Sequence, residues 1–323
     1  MTTSTNNSYG MTPVYYDSGE MFSGRKSGQT VKGWQGGECE FIPAYNPNYV
    51  LPVWASDLIV WFMHMQEPLY VFGPTGCGKS SIVRQLAAKL RYPVWEVTGH
   101  SRLEFPELVG HHTVKNGNMS FEDGPLTAAM RNGGIFLLNE IDLLDPSTAA
   151  GLNSILDGAG LTIPETGEHV VPHFMFRFVA TANSAGVGDE TGLYQGILRQ
   201  NLAFMDRFTL VEADYLPVKA EMALIERLAP EIPVDVREKM VKFANMVREL
   251  FVGKDVEGVS DTVTTDITLS TRTLLRWAML TKLYAPLRSQ GVNVVFHALD
   301  RALLFRASKV TAVSLREIAQ RIF

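Results

Sequence analysis

Cysteine is nearly absent from this chain: Cys39 and Cys77 are its two thiols in 323 residues. Two thiols cannot staple a chain of this size, so a disulfide framework is excluded and a reducing compartment is expected. Long apolar runs are missing too. The most apolar stretch, Leu51 to Met65, is broken by Asp57 and falls short of the ~20 residues that span a bilayer. The segment MTTSTNNSYG has no basic region followed by an apolar one, so no signal peptide is read. No run of five or more Lys/Arg occurs and the net charge is −5, so nucleic acid is not indicated as a partner. These absences predict a cytoplasmic protein with no membrane segment.

What is present is a foldable composition: 46% hydrophobic and 20% charged residues. That suffices for one large domain or two ordinary ones. Residues 1–48 stand apart, rich in Ser, Thr, Asn, Gly and Tyr with little periodicity. They read as a flexible N-terminal arm, partly disordered, that either wraps a neighbour or hangs free. From Leu51 the pattern changes. Leu58, Ile59, Phe62 and Met63 share helical spacing. Five short apolar runs follow: Leu69 to Gly73, Val94 to Thr98, Gly134 to Asn139, Phe176 to Ala182, and Phe208 to Glu212. Ile82, Leu86 and Leu90 lie on one helical face between the first two runs. Asp145 and Pro146 open another helix that Gly158 can end. Apolar strands alternating with helices predict a parallel sheet covered on both faces.

After Pro217 strand runs cease. Val236, Met240, Phe243, Val247 and Leu250 repeat at three and four, as do Leu274, Trp277 and Met279 to Leu283, then Val295, Leu299, Ala302 and Leu303. The expected organisation is an α/β core over 49–216 and a helical lid over 217–323, with a Gly-, Asp- and Thr-rich loop from Gly253 to Thr268.

Gly73, Pro74, Thr75, Gly76, Cys77, Gly78, Lys79 and Ser80 match G-x-x-x-x-G-K-[ST], with Ser81 following in the helix. A polyphosphate wrapped by backbone N–H groups needs a tight loop without Cβ clashes, hence the glycines. Lys79 is expected to reach the β/γ-phosphates of ATP and Ser80 to coordinate Mg²⁺. The helix N-terminus that follows favours an anion. At average residue frequencies the pattern arises by chance in roughly one chain of this length in a hundred. A strand running in and an amphipathic helix running out make it rarer still.

A P-loop needs a second acidic element on a neighbouring strand to hold Mg²⁺ and orient water. The run Ile135 to Asn139, followed by Glu140, supplies one. Glu140 is then the candidate general base, and Ser80, Asn139 and Glu140 form the candidate metal end. The usual pattern places Asp where this chain has Asn139. An amide can hydrogen-bond a Mg²⁺-bound water but lacks the charge; Asp142, two residues on, either compensates as an acid or points elsewhere. Asn183 ends the fourth run and is either a holder of the attacking water or a turn former. Arg207 at the mouth of the fifth strand, Arg199 before it, and Arg272 at a helix start could each complete a neighbour's site with positive charge. His111 and His112 do not suggest a metal centre, since adjacent strand residues face opposite ways.

Taken together these elements resemble the AAA+ ATPases, most closely the MoxR/CbbQ group and, within it, the CobS-type ATPase subunit of aerobic cobaltochelatase. The stretch Ala180 to Tyr194, the tetrapeptide Met205 to Phe208, Leu108 to Gly110 and Asp123 to Leu126 carry the likeness, which covers about residues 50–320. The resemblance implies that Lys79 and Ser80 are Walker A, Glu140 the Walker B base and Asn183 sensor 1. It implies that Arg207 is a finger reaching into the next subunit, with Arg199 a second trans contact and Arg272 a sensor 2. It implies a homo-oligomeric hexameric ring and a partner protein with a von Willebrand A domain. It implies that two hairpin signals, Val114 to Asn118 and Thr162 to Val170, face the ring axis and engage that partner. The expected function is ATP hydrolysis that remodels a partner protein. Two alternatives stay open: the ATPase subunit of a cobaltochelatase, and a low-turnover, nucleotide-gated scaffold.

Overall fold

A computed structural model describes residues 7–115, 117–188, 196–253 and 265–323. The chain divides into two compact units, Met1–Gly73 with Gly78–Ala213, and Pro74–Cys77 with Asp214–Phe323.

The strands, in chain order, are β1 (Thr12–Asp17), β2 (Thr30–Gln35), β3 (Leu69–Phe72), β4 (Val94–Thr98), β5 (Gly110–Lys115), β6 (Asn118–Asp123), β7 (Ile135–Asn139), β8 (Leu161–Thr162), β9 (His169–Val170), β10 (Arg177–Ala182) and β11 (Thr209–Glu212). Five of them form the central parallel sheet in the order β11-β3-β10-β7-β4. These are the five apolar runs read from the sequence, within a residue at each end. Every residue of β7 and β10 is buried, as strands covered on both faces require. The core between the sheet and one helical layer gathers Tyr70, Leu126, Phe136, Leu138, Ile141, Leu152 and Phe178.

The helix Lys79–Leu90 leaves the P-loop and buries Ile82, Leu86 and Leu90 on one face. The Asp145-capped helix is shorter than expected. It spans Pro146–Gly151, breaks at Leu152 and resumes as Asn153–Leu156. Both hairpin signals form: β5 pairs with β6 and β8 with β9, each antiparallel.

The arm departs most from expectation. Instead of hanging free, its described residues fold onto the first unit. β1 and β2 pair over six residues. Met11, Val31 and Trp34 are buried, and the Trp34 indole N–H donates to Gly133 O at 3.2 Å. Farther on, Phe41 O accepts from Val94 N at 2.8 Å on the β4 edge, and the Phe41 ring stacks on Trp95 at 4.9 Å. The physical reason is that edge β4 carries unpaired N–H groups and a large indole, both of which need covering.

The second unit is helical: Val218–Leu228, Val234–Phe251, Thr271–Leu283, Val294–Ala302 and Lys309–Ile322. Most of the predicted stripes are buried, with Met240, Phe243, Val247, Leu250, Leu274, Trp277 and Leu299 in one core, but Leu283 at the end of its stripe is 62% exposed. The start of helix Thr271–Leu283 is capped by Ser270, whose hydroxyl accepts from Thr273 N. Within this core Arg248 clamps Glu221 through two bonds of 2.8 and 3.0 Å, and Thr271 Oγ1 donates to the same carboxylate at 2.6 Å. Most of the predicted loop from Gly253 to Thr268 lies outside the described residues. Among the described residues no helix is long and apolar enough to cross a membrane.

Candidate functional site

The P-loop connects β3 to helix Lys79–Leu90, and its glycines are required by its shape. Gly73, Gly76 and Gly78 have φ of 147°, 71° and 102°, which an L side chain rarely adopts. At Gly73 a Cβ would lie 2.1 Å from Ala213 O, so even alanine cannot enter without moving the chain. In the second unit, Tyr215 Oη donates to Thr75 O at 3.0 Å. Cys77 is buried, in keeping with a spacer role.

Lys79 crosses to the neighbouring strand. Its Nζ donates to Gly73 O at 2.7 Å and to Asn183 Oδ1 at 3.1 Å. The lysine and the end of β10, predicted as phosphate ligand and sensor, are therefore brought together by the fold. The pairing is explained by the strand order, since β3 and β10 are hydrogen-bonded neighbours.

The next residue reaches one strand farther, past β10 to the end of β7. The Ser80 hydroxyl hydrogen-bonds Asn139 Oδ1, and Thr181 Oγ1 donates to the same oxygen at 3.0 Å. Asn139 Nδ2 donates to Glu96 Oε1 at 2.6 Å. Glu140, immediately after, is exposed and sits in the left-handed region at φ 54°, ψ 43°. That conformation costs a non-glycine residue about 1–2 kcal/mol. It turns the chain sharply at the strand end, and Gly99 makes room for the turn: a Cβ there would lie 2.6 Å from Glu140 O. Strain held at such a point is typical of functional positions.

Asp142 does not join the metal end. It is fully buried and its Oδ2 accepts from Asn183 N at 2.8 Å, so it fixes the strand end that carries the predicted sensor, Asn183. Burial pushes its carboxyl above the ordinary value, opposed by bonds from backbone N–H groups and by the nearby Lys79 charge. Its backbone carbonyl accepts from Leu198 N at 2.8 Å, tethering the segment that leads to Arg199.

Arg207 lies between helix Leu202–Met205 and β11, and its guanidinium pairs with Asp157. Arg199 is exposed in the first unit. Arg272 is exposed near the start of its helix in the second unit. Ser81 is half-buried in the first turn after the P-loop. Residues 189–194 of the stretch that carries the family likeness lie outside the described residues.

The donor set suits magnesium. Ser80 hydroxyl, Asn139 carbonyl oxygen and the Glu140 carboxylate are all hard oxygen donors, which Mg²⁺ selects. Among the described residues no cluster of three or more His, Cys, Asp or Glu side chains is placed to hold a metal unaided. Sequence reading missed Glu96. The available signal was a lone acid in the otherwise apolar run Val94 to Val97. Also missed were Thr181 and Gly99, which have no signature apart from the strands that position them.

A five-stranded parallel sheet in this order, with a P-loop after β3 and polar ends on β10 beside it and β7 beyond, defines a P-loop ATPase of the AAA+ class. Residues 68–200 match the AAA domain (dynein-related subfamily), and residues 221–322 match the CbbQ/NirQ/NorQ C-terminal domain. The chain is 30% identical over 298 residues to aerobic cobaltochelatase subunit CobS of Sinorhizobium sp, across 87% of this chain and 86% of that one. It is 30% identical over 261 residues to protein NorQ of Paracoccus denitrificans, across 79% and 86% of the two chains. It is 31% identical over 197 residues to denitrification regulatory protein NirQ of Stutzerimonas stutzeri, across 60% and 68%. The chain belongs to the MoxR/CbbQ group of AAA+ ATPases.

Proposed function

We propose that this protein hydrolyses Mg-ATP in an oligomeric ring, hexameric as the family resemblance implies, and uses the cycle to remodel a partner protein, one carrying a von Willebrand A domain. The observation that carries the reading is the bridge from Lys79 to both Gly73 O and Asn183 Oδ1. It holds a cation between the loop and the sensor, where a γ-phosphate would lie. Ser80 with Asn139 holds the magnesium end, and Glu140, exposed at its turn, takes the proton of the attacking water. Bound magnesium would neutralise phosphate charge there. Arg207 and Arg199 approach from a neighbouring subunit, and Arg272 reports nucleotide state to the helical unit. The hairpin β5–β6 supports partner engagement, because Val114 and Met119 face each other across it and are both 71% exposed.

The likeness to the CobS chain favours a second reading, in which the protein is the ATPase subunit of a cobalt-inserting chelatase. Genes of corrin synthesis beside its own would support that reading. Asn139 favours a third, a nucleotide-gated scaffold with little turnover. An ATPase assay separates motor from scaffold: the motor reading fails if wild type turns over no faster than Glu140→Gln. Capture of partners by the Glu140→Gln protein with ATP then tests the client, with a von Willebrand A protein as the expected catch.

A further inference from the structure

We infer that Glu96, from the neighbouring strand, carries the negative charge that Asn139 lacks at the magnesium end of the site. The inference rests on the reading of Ser80 and Asn139 as that end. The strand register makes the exchange possible. Glu96 on β4 pairs with Leu137 on β7, so Asn139, two residues on, shares its face as a diagonal neighbour.

The amide of Asn139 can be oriented one way only. A carboxylate accepts hydrogen bonds and cannot donate, so Nδ2 must face Glu96, at 2.6 Å from Oε1. Oδ1 is thereby turned to Ser80 and Thr181, whose hydroxyls meet it. A charge-assisted bond at the nitrogen draws electron density toward the amide oxygen. Asn139 Oδ1 therefore presents to the cation, or to its bound water, an oxygen polarised by a full charge one bond-relay away. The three side chains form an acid–amide–hydroxyl relay. The other carboxylate oxygen of Glu96 meets Arg84 Nη1 at 3.3 Å. The side chains in that pair are 44% and 32% exposed, and a solvated pair of this kind is weak, so it does not cancel the charge.

The test is the magnesium requirement for binding a fluorescent, non-hydrolysable ATP analogue, measured without turnover. Removing an outer-shell partner of a metal ligand typically weakens metal affinity about 10–100-fold. Glu96→Gln keeps an acceptor for Asn139 and loses the charge. We expect it to raise the Mg²⁺ concentration for half-maximal effect about tenfold or more. Combining it with Asn139→Asp returns the charge to β7, and the double variant should recover to within about twofold of wild type. Arg84→Ala should not reproduce the defect. Glu96→Gln with a wild-type magnesium requirement, in a protein where Ser80→Ala loses its own, overturns the inference alone. Arg84→Ala behaving like Glu96→Gln also overturns it, reducing Glu96 to a strand-surface ion pair. If wild type gains no nucleotide affinity from magnesium, the underlying reading of the site fails instead.

Discussion

Arg207 grips Asp157 through two parallel bonds, Nε to Oδ1 at 2.7 Å and Nη2 to Oδ2 at 3.1 Å, while Nη1 donates to Ala203 O. The fork is thus held in a fixed orientation by its own subunit. Asp157 is 53% exposed, so the pair contributes only about 0–1 kcal/mol and exchanges readily for a stronger anion. If Arg207 completes a neighbour's site, Arg207→Ala should lower turnover about 10³-fold or more with nucleotide affinity little changed. Asp157→Ala should leave thermal stability nearly unmoved. Mixing Arg207→Ala with Glu140→Gln protein should give more activity than either alone, because some interfaces then hold both intact groups. A coupled ATPase assay reads the Arg207→Ala and mixing outcomes, and a thermal melt reads Asp157→Ala. Arg207→Ala within twofold of wild type would remove the finger from the mechanism.

Asp142 gives a pH signature. Its carboxyl is buried and its pKa is raised above the ordinary 3.8 by desolvation. A raised carboxyl pKa means that the folded state holds the proton when the unfolded chain has released it. Stability from this group is present below the unfolded value and is lost as pH rises through the folded one. Asp142→Asn keeps an acceptor for Asn183 N and removes the titration. Wild type should therefore lose stability relative to Asp142→Asn as pH climbs from about 4 upward, then run parallel once the folded group has ionised. Denaturant midpoints across that range test it, and a constant difference would show that Asp142 does not titrate in the window.

The five sheet strands and the P-loop were legible because each depends on local pattern: buried parallel strands are continuous apolar runs, and a phosphate cradle needs glycines at fixed offsets. The arm was not. Trp34 looks like one aromatic in a polar stretch, and its burial depends on Gly133, distant in sequence. Sequence alone leaves Asp142 either a compensating acid or a side chain that points elsewhere, because spacing does not fix its direction. The turn at Glu140 aims it inward, toward Asn183 N. Glu96 shows in the sequence only as a lone acid in an apolar run, since it is the register of β4 on β7 that brings it to Asn139. Local periodicity reports which face is apolar, and it carries no information about which polar side chain lies across the next strand.

The ion pair inside the helical unit belongs to the same class of long-range features. Glu221 is fully buried and its two oxygens take bonds from Arg248 and Thr271. Arg248 also donates from Nε to Leu269 O at 2.8 Å and stacks 4.0 Å from the Tyr215 ring centroid. Removing one partner strands a buried charge. Glu221→Ala or Arg248→Ala should each destabilise the helical unit by about 3–5 kcal/mol. Replacing both by Leu and Met should cost much less than the two single changes added together, since no charge is left unpaired. Chemical denaturation followed by circular dichroism measures this, and additive losses would mean the pair is not coupled.

The hairpin and the segment after it give the last test. Trp34 is fully buried with its indole N–H bonded, so Trp34→Ala should cost about 3–5 kcal/mol in the first unit. Deleting residues 1–48 removes more than that side chain. It takes away Phe41 O, the acceptor for Val94 N, and uncovers Trp95 along β4. An uncovered edge strand with an apolar face pairs with other chains. The truncated protein should therefore melt at lower temperature and form concentration-dependent aggregates, visible by light scattering, while the full chain stays dispersed. A free arm predicts the opposite: a truncated protein with unchanged melting temperature and no scattering. That outcome would return residues 7–48 to the role of a dispensable tail.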